Sequence, residues 1–74
     1  MDLEKIIKFH RKKAGLSRKE LAELAGIGKT VIYDIEHGKK TIRFNIVNSI
    51  LEALNIKIIF DSPFMEKIRE NEKS

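Results

Sequence analysis

Four side chains within six residues, Lys29, Thr30, Tyr33 and Asp34, offer an ammonium, two hydroxyls and a carboxylate. On a helix of 3.6 residues per turn they share the side opposite Ile32 and Ile35, with His37 beside them. Such a row can exchange hydrogen bonds with a partner laid along the helix. It does not make a catalytic centre. His10 and His37 lie 27 positions apart on different helices, and no carboxylate pair stands with them at ligand spacing. Gly26-Ile27-Gly28-Lys29-Thr30 ends like a phosphate loop, but Glu23 stands where its first Gly belongs and no strand precedes it. The expectation is a binding protein, not an enzyme, with no cofactor and no metal.

The elements that must hold this row can be read on either side of it. Ser17 with Glu20 three residues later is a capping box that starts a helix at 17. Leu21, Leu24 and Ala25 are expected to bury its face, with Ala22 beside them, and Gly26 to end it. The next helix begins at Ile27 or Gly28 and runs to His37, with Val31, Ile32 and Ile35 inward and Gly38 just past its end. Apolar positions six and nine residues beyond the Gly26 break suit two short helices joined by a tight turn at a steep angle, the second held outward. A first helix over 2–14 carries the stripe Leu3, Ile7, Arg11 and Ala14, with Asp2 as N-cap and Gly15 as terminator. Ile6 and Phe9 flank that stripe and need cover, from the C-terminal strand or a second subunit, with packing against the fourth helix of the same chain as the alternative. After a loop over 39–43, the fourth helix spans 44–54 with Ile46, Val47, Ile50, Leu51 and Leu54 apolar and Asn55 as cap.

The pattern then changes. Residues 56–60, Ile-Lys-Ile-Ile-Phe, read as a short strand, with Ile56, Ile58 and Phe60 on one face. Nothing else in the chain reads as a strand. A lone strand leaves backbone donors and acceptors unpaired, and a second copy supplies them antiparallel about a two-fold axis. A homodimer is therefore expected, with Ile56, Ile58, Ile59 and Phe60 as its dimerisation residues. The alternative is that the segment packs as a tail on its own domain. Residues 61–74 are expected to form a short helical or disordered tail, in which Ser62 as N-cap and Pro63 at a first helical position can begin a short helix carrying Phe64, Met65 and Ile68. The organisation is thus a domain over 1–60 and a tail over 61–74.

At 74 residues one domain is the sensible count, and so small a domain gains from a partner subunit. The net charge is +4. Residues 1–60 hold 12 Lys and Arg against 7 Asp and Glu, or +5, and residues 61–74 hold 3 against 4, or −1. The excess sits where a phosphate-binding surface needs it. The chain has no cysteine, no apolar run long enough to span a bilayer, and no basic signal-peptide start in Met1-Asp2-Leu3-Glu4. A cytoplasmic protein, associated with the nucleoid, is expected, with no membrane partner. For an outward helix on a basic domain, the fitting partner is the major groove of double-stranded DNA.

Residues 18–37 resemble the helix-turn-helix pattern, with Ala22 at the close contact, Gly26 in the turn, and Ile32 and Ile35 as buried aliphatics. The chain from Ile6 to Asp61 is similar to the Xre/Cro family. The resemblance implies an all-α, lambda-repressor-like bundle of four to five helices, here with a short C-terminal β-strand that pairs with its dimer mate. The run from Glu36-His37-Gly38 through Leu54-Asn55-Ile56 to that strand resembles the HipB-like (Y4mF-type) antitoxins of type II toxin–antitoxin systems. That finer likeness implies repression of the chain's own operon and binding to a HipA-type kinase toxin. The alternatives are a stand-alone Xre-type regulator of phage or stress genes, and a module that chiefly neutralises a toxin.

The resemblance makes Lys29, Thr30, Tyr33 and Asp34 base-reading positions. Lys29 suits guanine O6 and N7, Thr30 a hydroxyl contact or a thymine methyl, Asp34 cytosine N4, and Tyr33 a phosphate or sugar. Asp34 has an intrachain pairing with a nearby Lys or Arg as its alternative. Phosphate contacts are expected from Ser17, Arg18 and Lys19 at the start of the second helix, and from Lys39, Lys40, Thr41 and Arg43 after the third. Where the family commonly has Gln, this chain has Arg18, which gives a stronger phosphate contact and leaves the bracing role of the Gln unassigned. The family's partly buried ion pair between the first and third helices maps onto Arg11 and Glu36. The DNA site is expected to be a palindromic operator.

Overall fold

The computed structural model describes residues 2–65 and 68. Four helices occur among them: α1 (Leu3–Lys13), α2 (Arg18–Ala25), α3 (Lys29–Glu36) and α4 (Phe44–Ala53). Each contributes to one apolar centre, Ile7 from α1, Leu21 and Ala22 from α2, Ile32 and Ile35 from α3, and Ile50 and Leu51 from α4. Ile7, Leu21, Ile32, Ile35 and Ile50 are wholly enclosed. Burying each such side chain stabilises the fold by about 1.5–3 kcal/mol.

All four helices stop the same way. The residue after the last turn has positive φ, at Gly15, Gly26, Gly38 and Asn55. The next N–H then reaches back to a carbonyl of the final turn: Leu16 to Arg11, Ile27 to Ala22, Lys39 to Asp34, Ile56 to Leu51. At Gly26, φ 71°, this stop fixes the turn between α2 and α3. An L side chain adopts that conformation at a cost, and Gly does not. Asn55 does the same job one residue beyond Leu54, which is the cap itself.

Several expectations need correction. Leu24 is 63% exposed and does not bury the face of α2. At 100° per residue Leu21, Ala22 and Ala25 lie together, and Leu24 falls about 60° beyond the near edge of that group. Leu3 and Ala14 are exposed because α1 overruns the core at both ends, leaving Ile7 and Arg11 as its buried residues. Asp2 occupies the N-cap position but makes no side-chain cap; its carboxylate pairs instead with Lys5 at 3.6 Å.

Residues 56–60 form no strand in the single chain. A ladder needs a second edge, and the described residues supply none. Ile56 packs against the core, whereas Ile59 is 80% and Phe60 66% exposed. Beyond them a helical turn does begin at Ser62: its Oγ accepts from Phe64 N–H at 3.3 Å and its carbonyl from Met65 N–H at 3.2 Å. Ile68 N–H donates to the Phe64 carbonyl at 3.4 Å, and the expected tail's residues 66, 67 and 69–74 lie outside the described residues.

Candidate nucleic-acid interface

The interface is built on the α2–α3 pair. At the start of α2, Glu20 N–H donates to Ser17 Oγ at 3.0 Å and Ser17 N–H donates to Glu20 Oε1 at 2.9 Å. Hydrogen bonding of the Glu20 carboxyl to the Ser17 backbone, and then to the Ser17 side chain, favours its ionised form and holds it below the usual carboxylate range. The box satisfies donors that would otherwise be orphaned at this helix end. Buried Ile32 and Ile35 then fix the rotation of α3 about its axis and leave Lys29, Thr30 and Tyr33 on the outside.

Between the beginnings of α2 and α3 lies an open groove of about 610 Å³, lined by Arg11, Ser17, Arg18, Lys19, Lys29, Thr30 and Tyr33. Three of the four expected base readers thus share one concavity with the three expected phosphate contacts of α2. Asp34 is not in it. Its carboxylate stands 3.9 Å from Lys39 Nζ, the intrachain pairing that was the alternative to base reading. Lys39 and Lys40 border a separate, smaller cavity beside Asp2 and Glu4. Thr41 and Arg43 are exposed, and Arg43 caps the start of α4. The basic side chains therefore form two groups, Arg11, Arg18, Lys19 and Lys29 along the groove and Lys39, Lys40 and Arg43 in and after the loop that follows α3.

Behind the groove three charges meet. Arg11 donates from Nε to Glu36 Oε2 at 2.6 Å and from Nη2 to Oε1 at 3.1 Å. Its Nη1 donates to the Leu16 carbonyl at 2.7 Å. Arg18 Nε donates to the same Glu36 Oε1 at 3.1 Å. The ion pair implied by the family resemblance is present and has a third member. Burial pushes the Glu36 carboxyl up, but the bonds and charge of Arg11, then of Arg18, outweigh it and hold the group below its ordinary range. The Arg18 guanidinium also stands 5.5 Å from the centre of the Tyr33 ring, and that ring stacks on His37 at 3.8 Å and 20°. His37 Nδ1 donates to the Tyr33 carbonyl at 2.7 Å.

The place of Arg18 was missed by reasoning that treated it as a surface cation. A signal existed: Arg18 precedes Leu21 by three and Ala22 by four, which sets it on the inward stripe of α2. A charge there calls for a counter-charge.

A packed helix pair, closed by a Gly turn and presenting its second helix beside a basic groove, defines a helix-turn-helix domain. Residues 7–60 match the Helix-turn-helix family HTH_3, and the chain belongs to that family. It is similar to an uncharacterized HTH-type transcriptional regulator, y4mF, of Sinorhizobium fredii (strain NBRC 101917 / NGR234). The two are 34% identical over 62 residues, covering 84% of this chain and 82% of the relative.

Proposed function

We propose that this chain is a sequence-specific DNA-binding repressor that acts as a homodimer on a palindromic operator. The observation that carries this reading is the groove, where Lys29, Thr30 and Tyr33 of α3 converge with Ser17, Arg18 and Lys19 of α2. Base-edge donors on α3 beside phosphate contacts such as Ser17 and Lys19 on one concave face are what a major-groove reader requires. Family membership and the similarity to a transcriptional regulator support it. The exposed Ile59 and Phe60 support dimerisation through 56–60. A dimer would set two recognition helices about 34–36 Å apart. The reading assigns the chain no catalysis and places its action in the cytoplasm.

Footprinting on the DNA upstream of the chain's own gene tests this. Two protected half-sites about one helical turn apart are expected; a single protected patch, or none, contradicts the dimeric reader. The finer reading, a HipB-like antitoxin that binds a HipA-type kinase, rests on the resemblance of the C-terminal segment. Co-purification with a kinase encoded by the adjacent gene is its test, and a lone regulator is the outcome that removes it.

A further inference from the structure

We infer that Arg18 is a positioning residue, which sets the base-reading surface through Tyr33 and Glu36 and is not chiefly a phosphate contact. The inference rests on the DNA-binding reading above, and its first readout needs no DNA.

Arg18 lies on the inward side of α2 and its side chain is only 36% exposed. Its Nε is bonded to a Glu36 carboxylate with no exposure to solvent. With that bond and the Tyr33 ring 5.5 Å away, the guanidinium is held between the end of α3 and the aromatic face in its middle. Tyr33 is half exposed and is flanked by His37, which is itself tethered to the Tyr33 backbone. A half-exposed Tyr without such neighbours would sample several rotamers, and ordering it at the moment of DNA binding would weaken the complex. Arg18 and His37 order it beforehand. Tyr33 borders the same groove as Lys29 and Thr30, so the direction of its hydroxyl belongs to the surface a base pair meets. Part of the Arg18 charge is also compensated by Glu36, which lowers its value as a phosphate anchor.

Lys carries the charge but lacks the planar group that bonds through Nε and lies against a ring. Arg18→Lys therefore separates the two roles. Arg18→Gln removes the charge as well. In both variants Glu36 keeps its two bonds from Arg11, so the carboxylate stays paired and the fold has its main tie. Tyr33 is the single Tyr and the chain has no Trp, so intrinsic emission reports on this ring alone.

The experiment compares the parent chain, Arg18→Lys and Arg18→Gln, with helix content checked by circular dichroism. Tyr33 emission is recorded without DNA. Binding to a selected duplex and to a scrambled one is then measured across salt concentrations. Both variants should change the Tyr33 emission alike, lose about tenfold in discrimination between the duplexes, and keep the parent's salt slope. The inference is overturned if Arg18→Lys retains parent emission and discrimination while Arg18→Gln lowers the salt slope by about 0.9, the mark of one lost phosphate contact. If the parent binds neither duplex, the functional reading fails separately. The emission then decides alone, and parent-like emission in both variants overturns the positioning role.

Discussion

Residues 11–37 bury charge, whereas Ile59, Phe60, Phe64 and Ile68 expose hydrocarbon. In the first region a carboxylate with no exposure to solvent is met by two guanidinium groups, and among the described residues no buried side-chain polar atom lacks a partner. In the second, all four side chains stand substantially in solvent. Both arrangements cost free energy when unmatched. The first is matched within one chain, by elements 25 positions apart in sequence. The second has no match among the described residues. The difference separates what the domain needs to fold from what it offers to a partner.

The sharpest way to break the first region is Glu36→Ala. It leaves two buried or half-buried arginines without their shared acceptor, and should cost about 3–5 kcal/mol, read from urea unfolding. In so small a domain that is a large share of the total stability. The same carboxylate should make stability depend on pH. Its folded pKa lies below the ordinary value, so its contribution is present above about pH 4.3 and is lost as pH falls through the folded pKa. Glu36→Gln should remove that part of the acid dependence; an unchanged acid profile would show that the triad is not formed in solution.

Smaller effects are expected at the rim of the interface. Replacing Lys39 and Lys40 together by Ala should weaken binding to every duplex alike, on the order of tenfold, and flatten the salt slope by roughly 1.8. A change confined to one sequence would assign them to base reading. The smallest effect on stability is expected at Ile59. Ile59→Asp should move the unfolding midpoint by less than about 0.5 kcal/mol, because the side chain is not part of the core. If the chain dimerises through 56–60 as proposed, the variant should also be monomeric by light scattering where the parent is a dimer. A variant that stays dimeric would move the dimer contact elsewhere.

The helix-turn-helix was legible in the sequence because its markers are local. The capping box at Ser17 and Glu20, the Gly26 stop and the spacing of Ile32 and Ile35 each act within a turn or two of chain. The pairing of Arg11 with Glu36 followed from family resemblance, since no local rule joins residues so far apart. The inward placement of Arg18 and the exposure of Leu24 were not legible for one reason. On a two-turn helix the inward face is narrow, and residue type was given more weight than angle. Arg18 lies on that face despite its charge, and Leu24 lies off it despite its side chain. The strand at 56–60 reflects a different limit. Its β-branched run is plain in the sequence, but a ladder is a property of two edges, and the described residues supply no second one.

Lys29 gives the most direct test of base reading by α3, because it lines the groove and forms no ion pair among the described residues. The measurement is the ratio of affinities for a selected duplex and a scrambled one at fixed salt, for the parent chain and for Lys29→Ala. The parent is expected to prefer its selected duplex by at least about 10³, and Lys29→Ala to lose roughly tenfold or more of that preference while still binding both duplexes. A parent chain that binds the two duplexes equally, or a Lys29→Ala variant whose preference is unchanged, would contradict the assignment of α3 as the reading element.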